Sequence, residues 1–217
     1  MKVALIGATG FVGSNILKEL SARGHKITAI ARNPEKSEVS GAHITPVSVD
    51  VMDTPALAKV LEGHDAVVSA FNPGWTNPNI HDDFLKGARA IQEAVKRSGV
   101  SRFIVIGGGG SLYIKPGLQV VDTPEFPEEI KPGADAARKY LEDIREEKTL
   151  DWAFFSPALE MHQGIKTGRT GTYRQGLESP VFDKDGRSVL SGEDVGVVIA
   201  DELEKPKHHR ERFTAAY

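Results

Sequence analysis

The sequence predicts a doubly wound α/β fold, a mostly parallel sheet with helices on both faces. Three observations carry this. Short apolar runs alternate with segments whose apolar residues recur at helical spacing, the pattern of a parallel sheet covered on both sides. The first run ends in a glycine-rich turn that opens the first helical segment. The length of 217 residues, with 40% hydrophobic and 26% charged, suits one globular domain with a full core. That domain spans 1–217, and residues 158–190 are expected to form a small lid.

The elements follow in order. Lys2 to Ile6 is a strand, and a helix from Phe11 to Ala22 places Ile16, Leu17 and Leu20 on one face before Gly24 stops it. Strands are predicted at Lys26 to Ala31 and His43 to Val49. Thr54-Pro55 reads as an N-cap followed by proline at the first helical position, opening a helix to Leu61. Asp65 to Phe71 is the fourth strand. The loop from Asn72 to Asn79 leads to a helix over His81 to Ser98, with Phe84, Ala88, Ile91 and Val95 on one stripe. Arg102 to Ile106 is the fifth strand. Prolines make Tyr113 to Pro132 irregular. A helix over Ala134 to Glu146 and a sixth strand, Trp152 to Ser156, come next. After Arg187 the chain reads as a short strand, a helix from Glu193 to Leu203 and a strand from Arg212 to Ala216. Ser191 followed by Asp194 has the spacing of a capping box.

The first turn carries the chemistry. Gly7-Ala8-Thr9-Gly10-Phe11-Val12-Gly13 sits between a strand and a helix. One glycine allows the sharp turn, one admits a pyrophosphate to the backbone, and one lets helix and strand pack closely. The free N–H groups at the helix start and the helix dipole then favour the diphosphate's negative charge. This predicts a Rossmann-type dinucleotide site at Gly7, Thr9, Gly10, Phe11, Val12 and Gly13.

The end of the second strand bears on cofactor choice. A site for NAD places an acid there, about 20 residues after the turn, to bond the ribose 2′-hydroxyl. Here Ile30-Ala31-Arg32-Asn33 offers no acid before Glu35. Arg32 is a planar cation suited to a 2′-phosphate, so NADP(H) is expected over NAD(H); the other reading of Arg32 is a solvated surface arginine. Asp50 and Val51 after the third strand, and Ala70 and Phe71 at the end of the fourth, lie on the carboxyl edge where such sheets bind ligands. Asp50 either accepts from the adenine amine or caps the next turn.

Other classes are excluded or disfavoured. With no cysteine, disulfides, thiolate nucleophiles and cysteine-ligated zinc are out. The histidines lack paired ligand spacing, so no metal site is expected. No Gly-Lys-Ser/Thr follows the glycine turn, and Gly109-Gly110-Ser111-Leu112-Tyr113 is no nucleophile elbow. A net charge of -3 gives no basic surface for nucleic acid. No apolar run approaches the ~18 residues that span a bilayer. A cytoplasmic protein is expected, with a small-molecule electron acceptor as partner, and with the stripe on 81–98 available to a second copy.

The glycine turn, the segments Val105-Ile106-Gly107-Gly108-Gly109-Gly110-Ser111-Leu112 and Leu150-Asp151-Trp152-Ala153-Phe154-Phe155-Ser156-Pro157, the run Ser191-Gly192-Glu193-Asp194-Val195 and the ending Arg212-Phe213-Thr214 resemble the atypical short-chain dehydrogenase/reductases. Within them, the chain is similar to the small NAD(P)H-binding group near NmrA-like proteins and flavin/biliverdin-IXβ reductases. The resemblance spans nearly the whole chain. It implies a catalytic role for Ser111, with a local turn bond as the alternative, makes Gly107 a cofactor-binding position, and puts Pro157 near the nicotinamide as a structural residue. Tyr113 is a candidate to stack on or donate to the acceptor, or else a packing residue. His162 is a candidate proton donor, or else a surface histidine.

One departure matters. Most short-chain dehydrogenases use Tyr-x-x-x-Lys before the sixth strand, where lysine lowers the tyrosine pKa for proton transfer. Here Asp135 stands four residues before Lys139, and none of Tyr113, Tyr140 and Tyr173 has lysine four residues on. Reducing a ketone develops alkoxide charge that needs a local donor; a flavin or quinone spreads the charge over its rings. The expectation is therefore NADPH-dependent hydride transfer to a conjugated acceptor, with flavin as a candidate substrate. The alternatives are an NmrA-like NADP(H) sensor without turnover and an epimerase/dehydratase-like enzyme.

Overall fold

A computed structural model describes residues 1–37 and 39–217. Ten strands and five α-helices run β1 (Lys2–Ile6), α1 (Phe11–Ala22), β2 (Lys26–Ala31), β3 (Ile44–Ser48), α2 (Thr54–Leu61), β4 (Ala66–Ser69), α3 (Ile80–Ser98), β5 (Arg102–Ile106), β6 (Tyr113–Lys115), β7 (Leu118–Gln119), α4 (Lys131–Arg145), β8 (Asp151–Ser156), β9 (Arg174–Gly176), α5 (Gly192–Glu204) and β10 (Glu211–Ala216) among the described residues. Eight strands form one sheet in the order β3-β2-β1-β4-β5-β8-β10-β9, and β6 pairs with β7 in a small hairpin. Every pairing in the large sheet is parallel except β9 on β10. The doubly wound α/β fold is as expected.

Burial explains the strand sequences. All of β4 and β5, and β1 beyond Lys2, are buried, as strands covered on both faces must be. Val3, Leu5, Ile104, Phe155 and Phe213 face α1 and α5; Ala4, Ile6, Phe103, Trp152 and Phe154 face the helices on the other side. On the edge, β3 pairs only with β2 and tolerates Pro46, which has no N–H to donate. Helix α3 buries Phe84, Ala88, Ile91 and Val95, carries acids in its first turn and bases in its last, and stops at Gly99 in the left-handed conformation.

The sheet order reverses at β1, whose neighbours β2 and β4 leave it in opposite directions. That reversal opens a crevice at the carboxyl ends of β1 and β4. Helices α1 and α5 both start at this edge. They pack side by side, with Gly192 against Phe11 and Asn15.

Several local expectations are corrected. The cap of α2 is Asp53, whose side chain accepts the Ala56 N–H, and Thr54 is already helical. Helix α4 begins at Lys131, three residues early, because Pro132 fits the first turn, where its missing N–H costs nothing. The irregular stretch before it holds the β6–β7 hairpin. The short strand after Arg187 reduces to a single bridge between Glu160 and Val189. A strand nobody would read from Arg-Gln-Gly, β9, forms instead on β10. Ser191 caps α5 by accepting the Asp194 N–H, but Asp194 does not reach back to the Ser191 N–H.

Candidate cofactor and acceptor site

The glycine turn connects β1 to α1 at the switch point. Gly7 adopts φ +79, and a Cβ there would meet the Ala70 carbonyl oxygen at 2.4 Å. A Cβ on Gly13 would meet the Gly7 oxygen at 2.0 Å. These two glycines serve the fold. Gly10 differs: its φ is -76, it is exposed, and a Cβ would meet nothing nearer than the Gly7 oxygen at 3.4 Å. The chain itself has room for a side chain at 10, and that side chain would project over the mouth of α1.

The mouth is open in the electrostatic sense too. The first bond into α1 runs from the Ser14 N–H to the Gly10 carbonyl, 2.8 Å, so the amides of Phe11, Val12 and Gly13 precede the ladder. No side chain caps the helix and no acid stands in its first turn. Thr9 is exposed and Phe11 and Val12 are half-buried beside it. Such a turn offers what a dinucleotide's diphosphate requires: amides outside the helical ladder, a favourable dipole end and no acid in the helix's first turn.

Arg32, the residue after β2, is exposed, and among the described residues its guanidinium makes no hydrogen bond or ion pair. A cavity of about 200 Å³ next to the glycine turn is lined by Ala8, Thr9, Glu35, Ser37 and Ile44 among others, without Arg32. Asp50 is exposed and its Oδ1 accepts the Met52 N–H at 2.9 Å, the local-turn role. Val51 packs half-buried under the α2 side. At the end of β4, Ala70 abuts Gly7, and the Phe71 ring stacks on Phe84 at 6.2 Å and fills the space left by Gly87. Gly107 lies against the Phe154 ring, and the buried Pro157 offers its carbonyl to the space beside Gly109.

Ser111 and Tyr113 share the Arg212 side chain as a neighbour, and His162 bonds only within its own loop among the described residues. Ser111 is buried, donates its hydroxyl to the Gly108 oxygen at 3.2 Å and accepts from Arg212 Nη1 at 3.0 Å. Arg212 also bonds the Ser111 carbonyl at 2.8 Å and pairs with Glu178. The Tyr113 ring lies 5.8 Å from the Arg212 guanidinium carbon, within cation–π range. Burial would raise the Glu178 pKa, but the bond from Arg212 and the charges of Arg212 and Arg145 overcome it and lower the pKa. His162 is exposed, with Nδ1 accepting the Gly164 N–H.

Arg212 is the residue that reading the sequence missed. It lies fully buried in β10 and ties the loop after β5 to the segment before β10. The available signal was an arginine directly before Phe213 inside a predicted strand.

Helix α4 holds no tyrosine at the edge. Tyr140 is buried, donates its hydroxyl to Gln92 Oε1 at 3.0 Å, and has its pKa driven up by that burial. Lys139 is exposed and pairs with Glu142 and Asp143.

Comparison with known proteins identifies the family. The family model described as NAD(P)H-binding matches residues 7–206. The chain is 36% identical to the uncharacterized protein YwnB of Bacillus subtilis (strain 168), covering 99% of this chain and 97% of that protein. A provisionally assigned epimerase from Bacteroides thetaiotaomicron shares 45% identity and superposes with a TM-score of 0.91, covering 100% of this chain and 96% of the other. A provisionally assigned NADH-flavin reductase from Streptococcus pneumoniae TIGR4 is 34% identical with a TM-score of 0.87, covering 100% of this chain and 99% of the other. With its glycine turn inside the matched span, this chain belongs to the NAD(P)H-binding family.

Proposed function

We propose that the chain is an NADPH-dependent reductase that passes a hydride to a small conjugated acceptor, a flavin or a quinone. The observation that carries this is the pairing of an open α1 mouth with an α4 that has Asp135, not a tyrosine, four residues before Lys139 and buries its one tyrosine. The amides of Phe11, Val12 and Gly13 bind the diphosphate, Gly10 leaves it room, and Arg32 takes the 2′-phosphate. Bound there, the reduced nicotinamide supplies a hydride, and water supplies the proton that completes the two-electron reduction of the acceptor. The chain's share is orientation: β5, β8 and the Arg212 tie fix the loop that carries Ser111 and Tyr113.

A sugar-nucleotide epimerase needs an acid/base tyrosine, and Tyr140 is turned away to Gln92. An NADP(H) sensor shares the binding site but not the turnover. The test is oxidation of NADPH, followed by nicotinamide absorbance, with FMN, FAD and several quinones. Turnover with one of them, and NADPH preferred over NADH, is the expected result. Micromolar binding of NADP(H) with no acceptor reduced overturns the reductase and leaves the sensor.

A further inference from the structure

The chain has two tryptophans with opposite surroundings. Trp152 in β8 is 2% exposed and donates its indole N–H to the Glu147 carbonyl. Trp75, in the loop after β4, is 59% exposed. A single exposed aromatic needs no explanation in itself, so what bears on Trp75 is its position.

The glycine turn touches Ala70 and the Phe71 amide, from which the loop 72–79 departs. The Trp75 six-membered ring rests on Gly133 in the first turn of α4, where a Cβ would come within 2.8 Å of Cζ3. The next residue, Ala134, lies against Gly110, and Gly109 lies against Pro157 and Leu159. These contacts run around the carboxyl edge from the cofactor turn to the end of β8. Two further large apolar side chains stand exposed on the same circuit, Ile130 just before α4 and Leu159 just after β8. Trp75 thus contacts α4 next to the residue that packs on the loop after β5, and Leu159 contacts that same loop from the end of β8.

The Trp75 loop is also held in place. The Gly74 N–H donates to Asn72 Oδ1 at 2.7 Å, the Asn77 N–H to the Gly74 oxygen at 3.1 Å, and the Asn77 side chain to Asp83 at 2.8 Å. A ring fixed beforehand loses little freedom when a ligand stacks on it.

We infer that Trp75 is the platform on which the planar ring system of the acceptor stacks, with Leu159 and Ile130 completing an apolar rim. This inference rests on the reductase reading for its ligand class. Trp75 is a binding residue here; it takes no part in the hydride or proton transfer.

The test compares wild type, Trp75→Phe and Trp75→Leu. Binding of FMN to NADP+-loaded protein is read as loss of flavin fluorescence, and KM is measured for FMN and menadione. Trp75→Leu should raise KM and the FMN dissociation constant about 10-fold, and Trp75→Phe should recover most of that. NADPH affinity and kcat should stay at wild-type values, since the indole does not touch the glycine turn; a thermal melt controls for its packing on Gly133. A KM within about 2-fold of wild type in Trp75→Leu, or an equal loss of NADPH affinity, overturns the inference. Wild type that binds FMN through Trp75 but reduces nothing supports the platform and sinks the reductase. Wild type that neither binds nor reduces any acceptor sinks both.

Discussion

Helices α1 and α5 start side by side at the same edge of the sheet, yet their mouths are treated in opposite ways. At α5 the chain fills the mouth itself. Ser191 caps the Asp194 N–H, and the Asp194 carboxylate accepts from the Thr170 N–H and hydroxyl, the Gly171 N–H and the Tyr217 hydroxyl. At α1 the corresponding positions hold glycine, no acid and no cap. The first arrangement closes the helix start with its own serine and carboxylate, and ties Thr170, Gly171 and Tyr217 to it. The second leaves its first-turn amides outside the helical ladder. The α1 mouth is set apart by what the sequence withholds, and the same comparison separates the glycines the fold requires from Gly10, where it requires none.

Substituting Gly10 by Glu breaks that comparison most sharply. A carboxylate some 4 Å from the diphosphate costs about 4 kcal/mol at an interfacial dielectric, so NADPH affinity should fall on the order of 1000-fold. Melting temperature should hold, because the backbone at Gly10 suits any residue and the space is open. Calorimetric titration beside a thermal melt checks both. Gly13→Ala should do the reverse in kind. Its Cβ would run into the Gly7 oxygen, and stability should drop by about 3 kcal/mol as judged by chemical denaturation.

Closing the comparison from the α5 side, Asp194→Ala leaves the Thr170 and Gly171 amides without their acceptor and should cost about 2–3 kcal/mol. Burial alone would raise the Asp194 pKa, but the bonds from Thr170, Tyr217 and Gly171 outweigh it and hold the pKa below 3.8. A carboxylate depressed in the folded state contributes stability above its unfolded pKa and loses it as the pH falls through the folded value. Wild type should therefore shed this contribution below roughly pH 4, and Asp194→Asn should show a shallower acid limb in pH-dependent melts.

Smaller effects sharpen the cofactor end and the missing acid. Arg32→Ala should weaken NADPH about 10-fold and leave NADH unchanged, while Glu35→Gln, at the cavity next to the glycine turn, should favour neither. Equal affinity of wild type for the two cofactors would remove the NADPH preference. Tyr140→Phe should cost about 1 kcal/mol for its bond to Gln92 and leave kcat and its pH profile as they were. A loss of kcat in this variant would restore tyrosine acid catalysis.

The first half of the molecule was legible because its signals are local. Strand, glycine turn and helix follow one another within Lys2–Ala22, and each glycine states its own requirement. The second half depends on contacts far apart in sequence. The β9 residues Arg174–Gly176 carry no alternation and become a strand only by pairing with β10. Arg212 gains its meaning from Ser111 and Glu178, 101 and 34 residues away. Asp194 has the spacing of a capping box, but Thr170 and Tyr217 take its carboxylate. Trp75 hid in a loop whose Pro, Gly and Asn read only as a turn.

The central claim concerns backbone donors, so amide resonances report on it most directly. In a nitrogen–proton correlation spectrum titrated with NADP+, the amides of Thr9 through Gly13 should show the largest shifts, with those of Ser191 to Asp194 moving little. Saturable NADP+ binding that leaves Phe11 and Val12 where they started would place the dinucleotide elsewhere and contradict the account.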